Sequence, residues 1–260
     1  MQVQIYRNYD QMSVAAARLI AAQLRIKPES VLGLATGSTP EGCYRELIRM
    51  HRKEGLDFSR ASTKNLDEYV GLDPSNENSY RYFMNDKLFN HVNIRKEATQ
   101  VPDGASADPE KSAEAYEKLC ASMPADLQLL GIGGNGHIGF NEPDTIFHAS
   151  TFVTALKPGT IEANKRFFHS ADEVPRHAIT MGMRQILQAK KILILISGPA
   201  KAEAAKGLLA GVVDPQVPAS ILQLHPDVVV MLDEAAARDL PAFQQHESAD
   251  RFGNCYFFAE

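Results

Sequence analysis

The chain has 260 residues, a formal net charge of −5 and both signs of charge interspersed. It therefore has no basic stripe to neutralise a phosphodiester backbone, which counts against a nucleic-acid partner. Its 44% hydrophobic and 23% charged content is that of a globular protein with a substantial core, and no apolar run approaches the ~20 residues of a membrane span.

The amino terminus, Met1 to Tyr6, lacks a basic segment leading into an apolar one, so a cytoplasmic protein is expected. Val3 to Tyr6 reads as a first strand, followed by an alanine-rich amphipathic helix over Met12 to Arg25 with Asp10 as its cap. Val31 to Ala35 is a short apolar strand ending in Thr36-Gly37-Ser38-Thr39, and Pro40 suits the first position of a helix over Glu41 to Lys53. A strand over Ser62 to Leu66 closes in Asp67-Glu68-Tyr69, and helices are predicted at Ser79 to Phe89 and Asp108 to Ser122. Asp126 to Ile132 reads as a buried apolar strand and runs into a glycine-rich loop. The strand Lys191 to Ile196, a helix from about Lys201 to Leu209 and the strand Val228 to Leu232 complete the pattern. No linker, repeat or low-complexity stretch interrupts it, so one domain over residues 1–260 is expected. Alternation of helices with strands apolar on both faces implies a three-layer α/β/α fold with a mainly parallel, Rossmann-like sheet.

Four unusual polar segments fall at the exits of four strands: Thr36 to Thr39, Asp67 to Tyr69, Asn135 to Glu142 and Ser197 to Lys201. Parallel strands bring such exits to one edge, where open α/β sheets bind their ligands. Thr36, Gly37, Ser38 and Thr39 supply hydroxyls, a permissive glycine and a helix start, a combination suited to a phosphate. No Gly-Lys-Ser/Thr follows, so a phosphate monoester fits better than a nucleoside triphosphate. Lys201 stands in the first turn of a helix, where the dipole disfavours a cation unless an anion neutralises it. Asp67 and Glu68 cannot both face inward if the chain stays extended, because side chains alternate. His137 offers proton transfer near neutral pH and Glu142 a carboxylate to orient it.

Gly131, Gly133 and Gly136 satisfy the GxGxxG spacing of dinucleotide sites, but Phe140-Asn141-Glu142-Pro143 leaves no room for the helix that fingerprint requires. No organic cofactor is expected. The other histidines show no metal-ligand spacing, and Cys43, Cys120 and Cys255 form no CxxC pair, so neither a metal nor a disulfide framework is expected.

Leu34 to Pro40, Asn65 to Leu72 and Gly136 to Pro143, joined by Asn164 to Phe168 and Leu222 to Pro226, closely resemble the glucosamine-6-phosphate deaminases of the glucosamine/galactosamine-6-phosphate isomerase family. The resemblance fades after about Leu240. It implies conversion of glucosamine 6-phosphate and water to fructose 6-phosphate and ammonia without a cofactor. On that resemblance Asp67 is the base between C2 and C1, and His137 opens the sugar ring with support from Glu142 and Asn135. Lys201, Arg166 and the Thr36 to Thr39 loop hold the 6-phosphate, and a lid spans 158–172. Related 6-phosphogluconolactonases and noncatalytic sugar-phosphate sensors are the alternatives.

Two departures from the family pattern stand out. Some members carry aspartate where this chain has Asn135. Hexameric members activated by N-acetylglucosamine 6-phosphate carry arginine and lysine where this chain has Phe152 and Thr154, and neither replacement can pair with a phosphate. No such activation, and a monomer or small homo-oligomer, are therefore expected. The tail from Pro241 to Glu260 is aromatic, with Phe252, Tyr256, Phe257 and Phe258, and gives no basis for choosing between docking on its own domain and on a neighbour.

Overall fold

The computed structural model describes residues 1–168, 170–240 and 255–258. Its elements run β1 (Gln2–Tyr6), α1 (Tyr9–Ile26), β2 (Val31–Leu34), α2 (Glu41–Glu54), β3 (Ser62–Asn65), β4 (Asp67–Tyr69) and α3 (Tyr80–Met84). There follow β5 (Thr99–Gln100), α4 (Pro109–Ser122), β6 (Leu127–Gly131), β7 (Phe152–Ala155), α5 (Pro158–Asn164), β8 (His177–Thr180) and α6 (Met183–Leu187). The described chain ends with β9 (Ile192–Ile196), α7 (Ala202–Leu208), β10 (Val228–Asp233), α8 (Glu234–Ala237) and β11 (Cys255–Phe258).

Among the described residues eight strands form one sheet in the order β11-β1-β10-β9-β6-β2-β3-β5. All neighbours pair in parallel except β11, which lies antiparallel on β1. Of the aromatic tail, Tyr256 to Phe258 thus belong to an edge strand, while 241–254, with Phe252, lie outside the described residues. Both sheet faces are buried. Ile192, Ile194 and Ile196 of β9 pack into one core with Tyr116, Ala205 and Leu208 from the helices. The alternate residues Leu193 and Leu195 pack into a second core with Met12, Ile20, Tyr44 and Leu47. This period-2 split of one apolar run between two cores makes the three layers of the expected α/β/α fold.

Strand order reverses between β2 and β6. After β2 the sheet grows outward through β3 and β5, and after β6 it grows the other way through β9 and β10. Ligand crevices open at such a switch point, and the four exits singled out in the sequence belong to the adjacent strands β9, β6, β2 and β3.

A second, antiparallel sheet, β4-β8-β7, was not legible in the sequence. Its strands have three or four residues of mixed polarity, too short for a clear alternation. Helix boundaries also shift. Asn8, not Asp10, caps α1, accepting from the Gln11 N–H at 3.0 Å. Pro40 precedes α2 instead of opening it. The predicted Ser79 to Phe89 helix does start after Ser79, which caps it, but its second half widens into a π turn at Asn85–Phe89. Among the described residues no helix is long and apolar enough to cross a membrane.

Candidate active site

A cavity of about 500 Å³ opens at the switch point, and its wall includes Thr36 to Thr39, Asp67, Asn135, His137, Arg166 and Lys201. Residues separated by more than 160 positions therefore face one space. Glu142 stands behind His137, outside the wall.

At one end the β2 exit turns at Gly37, whose φ of 90° suits a residue without a side chain. The turn is braced from below: Tyr44 donates to the Ala35 carbonyl at 2.6 Å, and Tyr9 donates to the Ser38 carbonyl at 3.0 Å while accepting the Gly42 N–H at 2.7 Å. Part of the donor capacity of the α2 start is thus already used. Arg166, in the 3-10 turn after α5, donates to the Ser38 hydroxyl at 3.5 Å. Lys201 enters from the β9 exit, and its amine is held below the usual lysine range, first by burial and then by the charge of Arg166. Two cations that disfavour each other beside the hydroxyls of Thr36, Ser38 and Thr39 make an end suited to an anion. Asp233 fixes this second loop, accepting from Ser197 Oγ at 2.5 Å and from the Gly198 N–H at 3.0 Å.

At the other end β4 presents Asp67, 6% exposed, and its carboxylate receives no hydrogen bond among the described residues. Burial, followed by the charge of Glu68, raises it to about 8. Glu68 turns the opposite way, as strand alternation requires, and accepts the N–H groups of Tyr69, Tyr80 and Arg81 at 2.9 Å each. The pair thus divides between a group on the cavity wall and a structural carboxylate holding the start of α3.

No helix opens at Gly136, which has φ 86°, and the loop after β6 is held by side chains instead. Asn141 donates to the carbonyls of Ile138 and Met181, and the Phe140 N–H donates to Thr180. Gly139, with φ 58°, brings its backbone against Asp67: a Cβ there would stand 3.3 Å from Asp67 Oδ2. His137 Nδ1 lies 2.7 Å from Asn135 Oδ1 and 3.5 Å from Glu142 Oε2, while Asn135 Nδ2 donates to Glu142 Oε2 at 2.7 Å. A carbonyl acceptor at 2.7 Å requires Nδ1 to carry its proton, which leaves Nε2 of the neutral ring as the basic nitrogen. Burial raises the Glu142 carboxyl, but the hydrogen bond and charge of His137, with donors from Thr160 and Asn135, outweigh it and bring the group to about 2.

The family of glucosamine-6-phosphate isomerases and 6-phosphogluconolactonases matches this chain over residues 8–231. The chain belongs to that family. A glucosamine-6-phosphate deaminase of Clostridium perfringens is 51% identical over 239 residues, 92% of this chain and 99% of its own. One from Thermoanaerobacter pseudethanolicus is also 51% identical, over 93% of this chain and 96% of its own. The solved structure of a monomeric glucosamine-6-phosphate deaminase, 48% identical, superposes with a TM-score of 0.90 over 92% of this chain and 99% of its own. The 6-phosphogluconolactonase of Trypanosoma brucei, 20% identical, shares the fold with a TM-score of 0.71.

Within this isomerase/lactonase family site, the sequence did not mark the aromatic wall of Tyr69, Tyr80, Phe140 and Phe168. These rings lie 4.8–6.0 Å apart and cover the cavity beside Asp67. Nor did it mark Thr160 on α5, which donates to Glu142. The only advance signal for Thr160 was its place in the segment expected to act as a lid. Among the described residues no group of three or more His, Cys, Asp or Glu side chains is arranged to hold a metal.

Proposed function

We propose that this protein is a glucosamine-6-phosphate deaminase, converting glucosamine 6-phosphate and water to fructose 6-phosphate and ammonia. The observation that carries this reading is a single cavity with paired cations at one end and a buried, hydrogen-bond-free carboxylate raised to about 8 at the other.

The 6-phosphate is assigned to Arg166, Lys201 and the Gly37-Ser38-Thr39 turn, with Thr36 in the same wall. Anchoring that end makes the later proton transfers effectively intramolecular. His137 moves a proton at the ring oxygen to open the pyranose, while Glu142 and Asn135 hold the imidazole. Asp67 removes the proton from C2 and returns it at C1, converting the amino aldose to an imine at C2. Water adds to that imine and ammonia leaves. A carboxylate of ordinary acidity is a weak base for a C–H proton, so the desolvation that raises Asp67 strengthens it for this step. The ammonium of the incoming substrate favours the charged form of Asp67 when the base is needed.

The reading extends to a single cytoplasmic domain acting as a monomer or small homo-oligomer, with 158–172 as its lid. The solved relative at 48% identity is described as monomeric, which supports the small assembly. A coupled assay following fructose 6-phosphate and ammonia from glucosamine 6-phosphate tests the activity. Formation of both products is expected, and formation of neither ends the reading. Release of acid from a 6-phosphogluconolactone would point to the lactonase branch instead.

A further inference from the structure

Glu142 is held from two sides by different parts of the chain. Asn135 donates to Oε2 from within the His137 loop, and Thr160 Oγ1 donates to Oε1 from α5. Thr160 is 5% exposed, whereas Gly159 and Glu162 on the same short helix are exposed. Lys157, just before α5, donates to the Pro143 carbonyl one residue beyond Glu142, so the segment is tied to the catalytic loop at two points. Six residues after Thr160, Arg166 reaches Ser38 and stands close enough to Lys201 to disfavour its charge.

We propose that Thr160 is a positioning residue that couples occupancy of the phosphate end to the orientation of Glu142, and through Glu142 to His137. This rests on the deaminase reading for the roles of His137 and the phosphate end. The terminal torsion of a glutamate is broad and two-fold, so one anchored oxygen leaves the other free to swing. With Oε1 held by Thr160, Oε2 stays between Asn135 and the imidazole. Docking α5 brings Arg166 against Lys201, which is unfavourable in an empty cavity. A bound phosphate turns that repulsion into shared attraction and so binds the docked arrangement better than any other. A ligand shifts an equilibrium only by such a difference in affinity. Because Thr160 and Arg166 ride on one segment, capture of the phosphate also delivers the hydroxyl to Glu142.

The test compares Thr160→Val, which keeps the shape and removes the hydroxyl, with Thr160→Ser, which keeps the hydroxyl, in the full chain. The Val variant is expected to lower kcat on glucosamine 6-phosphate by about 10- to 100-fold, the range for one hydrogen bond to a charged group, with KM within about threefold. The acid limb of its kcat profile moves to higher pH, and the Ser variant restores both. A readout independent of turnover is the NMR titration of the Glu142 carboxyl carbon. Its midpoint rises in the Val variant and not in the Ser variant, and inorganic phosphate perturbs the signal in the wild type but not in the Val variant. A change in KM alone, equal losses in Val and Ser, or an unmoved Glu142 titration would each overturn the proposal. Should the Val variant melt far below the wild type, Thr160→Ala replaces it with the same two outcomes. If the wild type releases neither product, the deaminase reading fails while the Glu142 titration still decides the coupling.

Discussion

Gly133 lies flat against the His137 ring. A Cβ on Gly133 would fall 2.1 Å from the imidazole Cε1, and the backbone cannot retreat because the Gly133 N–H donates to the His137 carbonyl at 2.9 Å. Gly133→Ala should therefore leave the sheet intact and swing the imidazole away from Asn135 and Glu142. Displacement of a catalytic group by about 1 Å can cost ~100-fold, so kcat should fall by about that factor with KM within a few-fold. Steady-state kinetics with a melting curve checks this, and wild-type kcat in a folded Ala variant would refute it.

Asp67 sets activity against stability. Its folded-state value of about 8 lies far above the ordinary 3.8. The native state therefore keeps a proton that the unfolded chain has released, and the contribution to stability is fully present below about pH 4 and lost as pH rises towards 8. Asp67→Asn removes that loss. The variant should lack turnover yet melt higher than the wild type at pH 8, with the gain shrinking near pH 4. Each kcal/mol regained is worth about 2–4 °C in a chain of this size. Equal melting temperatures at both pH values would show that the carboxylate is not desolvated as described.

What could be foreseen follows from where the information lies. The apolar runs of β6, β9 and β10 announce buried parallel strands because both faces must be apolar, and the polar segments at their ends follow by topology. The split between Asp67 and Glu68 was also implicit in strand alternation. By contrast β7 and β8 carry too few residues for a period to show, and Asn8 and Asp10 are equally good helix caps until the first turn is seen. Thr160 was hidden for a different reason. Its partner lies 18 residues back on another loop, and no local spacing encodes that return.

Lys201 and Arg166 should carry binding more than chemistry. Replacing either by Ala removes half of the cation pair and leaves its partner less opposed, so both KM for glucosamine 6-phosphate and the inhibition constant of inorganic phosphate should rise about 10- to 100-fold. The two constants must move together if the anchored group is the phosphate. A rise in KM with unchanged phosphate inhibition would place the phosphate elsewhere.

Phe152 and Thr154 on β7, the positions at which the resemblance places an arginine and a lysine in activated members, bring no cation to that strand. Phe152 stacks on His148 with ring centroids 4.2 Å apart, and the Thr154 hydroxyl donates to the Ala155 carbonyl at 3.4 Å. N-acetylglucosamine 6-phosphate should therefore leave the substrate half-saturation concentration unchanged. A several-fold fall on adding it at constant substrate would contradict this, because linkage requires a second site with differential affinity.

Asn135 makes two complementary contacts that an aspartate could not make together: its amide donates to Glu142 and its carbonyl accepts from His137. Asn135→Asp would set two carboxylates 2.7 Å apart beside the ring, and like charges at that distance cannot both ionise unless a cation lies between them. Either the pair retains a proton or it recruits the imidazolium. The added negative charge and the lost amide donor both raise the Glu142 carboxyl from about 2 and move the acid limb of the kcat profile to higher pH, and the donor lost to a charged group costs about 10- to 100-fold at the optimum. The pH dependence of kcat in the wild type and the variant checks this. An acid limb that stays in place would show that Glu142 and residue 135 do not share the burden of holding His137.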